Sequence, residues 1–144
     1  MNTQVEVFLA SLRRCLADGD FLPQFYHRLL SSSEEVRLKF ENTDLERQYR
    51  VLADSLYMLA VAAQSPQDTD EFSPAWTEMS RLATMHDRDH LDIRPGLYDL
   101  WLYHLLEAAR THDSEFTVEI EECWRVTLKT GIDYLRSHHE AEGE

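Results

Sequence analysis

Apolar residues return every three or four positions along almost the whole of this chain, and that spacing confines it to helices. Val5, Phe8, Leu9, Leu12 and Leu16 form a first stripe that stops at Asp18-Gly19-Asp20, where glycine permits a turn. Leu22, Phe25, Tyr26, Leu29 and Leu30 form a second, with Pro23 tolerated in its first turn. The capping pair Ser32 and Glu35 predicts a short helical stretch through Val36, Leu38 and Phe40. A second pair, Thr43 and Glu46, predicts the start of a long helix whose stripe runs Leu45, Gln48, Leu52, Ser55, Leu56, Leu59 and which ends near Ala63. Residues 64–73 read as an exposed connector, after which Ser73 caps and Pro74 opens a helix with the stripe Met79, Leu82, Ala83, His86. That helix fades in Asp87-Arg88-Asp89. Pro95 opens the next one, apolar on most faces from Leu97 to Ala109 and therefore central. Thr111 to Thr117 reads as a polar turn. The last stripe carries Val118, Ile120, Cys123, Trp124, Thr127, Leu128, Ile132 and Leu135, and the acidic tail 138–144 is expected to fray.

Composition narrows the class further. Four glycines and four prolines in 144 residues are too few for the turns of a sandwich or barrel, so the chain reads as all-α. The length fits one domain, taken as residues 1–137 with the tail beyond it, and 43% hydrophobic residues are enough for a packed core. A formal charge of −13 argues against nucleic acid and anionic membranes as partners, since both demand a positive footprint. No apolar run is long enough to span a bilayer, no secretory leader is evident, and Cys15 and Cys123 lack a redox motif. The expectation is a cytoplasmic protein with two reduced, core-filling thiols.

The informative anomaly is polarity on apolar stripes, because burying a polar group without a partner costs about 1–3 kcal/mol. Tyr26 lies on the inward stripe of the second helix, Gln48 lies between Leu45 and Leu52, and His86 continues the face of Met79 and Leu82. Each has a bland explanation: a tyrosine bonded to a backbone carbonyl, a glutamine at the rim, a satisfied core histidine. Each also has a chemical one. Tyrosine and glutamine donate hydrogen bonds to a bound group, and neutral histidine offers a ring nitrogen to a metal.

Taken together in order, these residues resemble the globin family, in particular bacterial single-domain globins and the haem domains of flavohaemoglobins. Phe25-Tyr26-His27-Arg28-Leu29-Leu30 is similar to that family's second-helix motif, with Tyr26 at the distal tyrosine. Phe40 falls where the family packs a phenylalanine on the haem face, and Gln48 and Leu52 fall at the distal glutamine and the apolar place one turn later. Leu82-Ala83-Thr84-Met85-His86 matches the motif that carries the proximal ligand, followed by Ile93, Pro95 and Tyr98. His90 is a rival ligand on the same helix, and the spacing from His86 to Pro95 is slightly long for the family. Of the late glutamate that tunes the proximal histidine in flavohaemoglobins, only Glu140 is a candidate. His27, His104, His112, His138 and His139 match no ligand position and read as surface or rim residues.

The resemblance implies a fold of about seven helices enclosing one haem b, lined by Phe40, Leu52, Leu82, Ile93, Tyr98 and Leu102. It implies a metal bond from His86, Tyr26 and Gln48 as donors to O2, NO or CO at five-coordinate or weakly six-coordinate iron, slow O2 release, and NO detoxification. With no Gly-rich nucleotide motif in the sequence, turnover as an NO dioxygenase would draw on an external reductase. A monomer or weak homodimer is expected. The competing reading is a haem-based gas sensor or a haemless interaction module.

Overall fold

The structure, a computed structural model, describes residues 3–64, 74–86 and 91–141. Those residues form seven helices and no strand: α1 (Thr3–Ala17), α2 (Phe21–Ser32), α3 (Glu34–Lys39), α4 (Leu45–Gln64), α5 (Pro74–His86), α6 (Pro95–His112) and α7 (Val118–Ala141). The three-and-four spacing decides which face each helix buries. Val5, Phe8, Leu12 and Cys15 turn α1 inward, Phe21, Leu22, Phe25, Tyr26 and Leu29 do so for α2, and Leu52, Leu56 and Leu59 for α4. The last helix, α7, packs against α1, α4, α5 and α6, while α2 lies against α6 and α3. Trp124 of α7 is fully enclosed, with the Phe8 ring edge-on at 4.8 Å and Phe21 at 6.4 Å. Gly131 marks a close approach of α7 to α4, since a Cβ there would overlap Leu59 Cδ2.

Both predicted caps are displaced by one residue. Ser33, not Ser32, caps α3 by accepting from the Val36 N–H at 3.2 Å, while the Ser32 hydroxyl donates back to the Leu29 carbonyl at 2.8 Å. Asp44, not Thr43, caps α4, accepting from the Arg47 N–H at 3.3 Å. In each case the neighbouring residue also has capping chemistry, and the exit direction of the preceding segment selects between them. Ser73 and the segment 87–89 lie outside the described residues.

Of the histidines read as surface groups, His104 and His139 are buried instead and His112 is half-buried. His104 is 8% exposed; His112 meets the Asp18 carboxylate at 2.5 Å and the Gln24 carbonyl; His139 is 6% exposed and meets Asp92 at 2.9 Å. For His112 and His139, carboxylates and an amide supply polar partners that a helical period cannot reveal. His139 turns inward near the end of α7, which runs to Ala141. Cys15 is fully buried, and burial pushes its thiol up to about 12, so it stays protonated. Cys123 is half-buried and also raised by burial. Among the described residues no helix is long and apolar enough to cross a membrane.

Candidate functional site

A cavity of about 160 Å³ opens between α2, α3, α4, α5, α6 and α7. Three stretches of chain deliver its polar groups. On α2, the stripe that buries Phe25 and Leu29 also buries Tyr26, which is 2% exposed and boxed in by Phe25, Tyr49 and Phe40 with ring centroids at 4.9, 5.6 and 5.7 Å. On α4, Gln48 stands in the first turn, half-buried, and its Nε2 donates to Tyr26 Oη at 3.1 Å. Burial pushes the Tyr26 hydroxyl well above the ordinary tyrosine value, and the Gln48 bond offsets only part of that. The hydroxyl is therefore neutral. It already accepts a hydrogen bond, so its proton is free to be donated.

On α5, His86 is the last helical residue and also lines the cavity. Its Nδ1 lies 2.8 Å from the Leu82 carbonyl, one turn back, and a carbonyl can only accept. Nδ1 must therefore carry the proton, which leaves the lone pair on Nε2. Burial lowers the affinity of this ring for a second proton, partly countered by the Leu82 bond, so the imidazole is neutral.

The walls are apolar. Phe40, Leu52, Leu82 and Ile93 line the cavity together with Leu29, Val36, Leu59, Leu97, Trp101, Ile132 and Leu135. Tyr98 also lines it, is 6% exposed, and its hydroxyl has no hydrogen-bond partner among the described residues. Its place on the cavity wall leaves this hydroxyl available to a group bound there.

The cavity thus brings together Tyr26, Phe40, Gln48, Leu52, Leu82, His86, Ile93 and Tyr98. It does not include Leu102. That leucine packs on the core, and its neighbour Trp101 takes the wall position, because successive helical residues point about 100° apart. His90 and the side chain of Glu140 lie outside the described residues. Sequence reasoning missed Leu59, Ile132 and Leu135, although all three sit on stripes it identified, and it missed Lys39, which carries no periodic signal.

The donor chemistry and the apolar lining of the cavity suit a haem. His86 is the single imidazole on the cavity wall among the described residues, and one imidazole is too few donors for a bare transition-metal ion. A metal held here brings its other donors with it, as a porphyrin does, and the aromatic and aliphatic walls suit a flat apolar ring. The orphaned Tyr98 hydroxyl is a further place for such a group to bond.

No family model matches the chain, and no curated protein matches it. Among solved structures, a crystal structure of a Pseudomonas aeruginosa PAO1 protein superposes with a TM-score of 0.86 at 33% identity, over 95% of this chain and 98% of that one. That protein is described as structurally highly homologous to a human hemoglobin.

Proposed function

The chain belongs to the globin family, and from that premise we propose that it holds one b-type haem through His86 and offers Tyr26, backed by Gln48, to a diatomic gas. When bound, haem supplies an iron with an open position for O2, NO or CO. The chain's own side chains set what happens there. The Leu82 carbonyl fixes the His86 ring and keeps Nε2 unprotonated for a metal. Phe40, Leu52, Leu82 and Ile93 exclude water, which strengthens any hydrogen bond made inside.

The observation that carries this reading is the hydrogen bond from Gln48 Nε2 to Tyr26 Oη. It orders the two distal residues in series, where the sequence reading has them as parallel donors. Gln48 orients and polarises the phenol, and Tyr26 presents the proton to a gas that gathers negative charge. A hydrogen bond to a charged acceptor contributes roughly 1.5–3 kcal/mol, which supports slow O2 release.

O2 dissociation from the hemin-reconstituted, reduced protein tests this. Tyr26→Phe is expected to speed release by about 10–100-fold, each ~1.4 kcal/mol being a factor of ten. Gln48→Leu speeds it less, and combining it with Tyr26→Phe adds nothing, because its effect passes through the phenol. An unchanged rate in Tyr26→Phe refutes the distal assignment. A wild-type chain that stays colourless when offered hemin refutes the haem assignment itself and favours an interaction module.

A further inference from the structure

Lys39 is the one cationic side chain lining the cavity among the described residues. It closes α3, half-buried and adjacent in sequence to Phe40. Its ammonium donates to the Leu91 carbonyl at 3.2 Å, and Glu35, the described carboxylate on which its charge acts, is already clasped by Arg94. Other basic side chains find acids: Arg14 meets Asp113, Arg110 meets Glu121, and Arg125 meets Glu121. The contrast is sharpest with Arg94, which links the same two segments. Its Nε and a terminal nitrogen clasp the two Glu35 oxygens at 2.8 and 2.7 Å, so its charge is already matched.

Thus α3 is strapped twice to the segment 91–94 at the cavity edge, once by a matched ion pair and once by an ammonium on a neutral carbonyl. An ammonium has three donors, and the carbonyl occupies one. A haem is apolar except for two peripheral carboxylates, which require water or cations. We infer that Lys39 anchors one of these carboxylates, exchanging or sharing its bond to Leu91 for a charge-assisted one. The inference rests on the haem reading above and names the edge of the cavity at which the anionic margin of the ring lies.

The test compares hemin with its dimethyl ester, in which both carboxylates are capped and uncharged. Release of each from the ferric protein into excess acceptor apoglobin is timed for wild type, Lys39→Met, Lys39→Arg and Lys39→Glu, with apoprotein melting curves as a check on folding. Lys39→Met is expected to speed hemin release by about two- to fivefold, the range for one partly exposed charged contact. Lys39→Glu speeds it further, Lys39→Arg retains slow release, and the ester is released at the same rate from all four. Equal acceleration of both porphyrins, or no acceleration of hemin, overturns the anchor while leaving the haem reading intact. A wild type that retains neither porphyrin overturns both.

Discussion

Two buried polar regions of this molecule are built in opposite ways. At the junction of α1, α6 and α7, the Asp113 carboxylate is 2% exposed and fully engaged. It accepts from Ser11 Oγ at 2.6 Å, from Arg14 Nε and a terminal Arg14 nitrogen at 2.6 and 3.0 Å, and from the Glu115 N–H at 2.9 Å. Ser11 in turn accepts from Trp124 Nε1 at 2.9 Å. In the cavity the Tyr26 oxygen accepts one bond while its proton remains to be donated, and the Tyr98 hydroxyl makes none among the described residues. A closed polar network ties elements together and asks nothing of a ligand. An open one has a free-energy deficit that an incoming group can relieve. The first region therefore holds the fold, and the second holds what the fold is for.

The largest effect that would break this contrast is at Asp113. Asp113→Ala strands Arg14 and Ser11 and removes a carboxylate that bridges three elements, so it is expected to destabilise the apoprotein by about 3–5 kcal/mol. Urea unfolding measures it, and a loss below about 1 kcal/mol would show that the network is decorative. The same residue sets a pH limit. Burial alone would push its carboxyl up, but the bonds from Arg14, Ser11 and the Glu115 N–H, with the Arg14 charge, outweigh it and hold it below the usual range. The faces packed around it also bring the Cys15 thiol, protonated as shown above, and the exposed Glu115 carboxylate. A depressed folded value means that the stabilisation is fully present above the unfolded carboxyl's value of about 3.9 and disappears as pH falls through the folded one. Acid titration of stability in wild type beside Asp113→Asn is expected to show a steep loss below about pH 4 in wild type and a shallower one in the variant.

The sequence was a good guide to the cavity and a poor one to the network, for a physical reason. Tyr26, Gln48 and His86 interrupt apolar stripes, so a helical period alone exposes them as polar groups facing inward. Asp113 lies in a segment that reads as a polar turn, and nothing local distinguishes a buried turn carboxylate from a solvated one. Its partners Ser11 and Arg14 are about a hundred residues away. The half-buried His112 and the buried His139, whose partners Gln24 and Asp92 are also distant in sequence, were hidden for the same cause. Periodicity also fixes a face without fixing the rotation of one helix against the next, which is why Trp101 rather than Leu102 reaches the cavity and why Ile132 and Leu135 had no assigned destination. The caps show the finest limit: Ser32 and Ser33, or Thr43 and Asp44, have nearly equal capping chemistry, and tertiary geometry chooses.

The smallest effect has the most diagnostic sign. Tyr98→Phe removes one oxygen that is buried and unbonded in the apoprotein, and Asp113→Ala removes a carboxylate that is buried and bonded. If openness marks the ligand site, the phenylalanine variant is as stable as the wild type without ligand or gains up to about 1 kcal/mol, since a desolvated hydroxyl with no partner is a net cost. The ring itself stays packed, so no cavity term enters. With hemin bound the sign reverses, because a hydroxyl that gains a partner on loading is lost. The melting temperature gained on adding hemin is then smaller in Tyr98→Phe than in wild type, by linkage to the weaker binding. A variant that loses apoprotein stability instead would show that the Tyr98 hydroxyl has a partner in the folded apoprotein, and the distinction between a closed and an open network would then rest on Tyr26 alone.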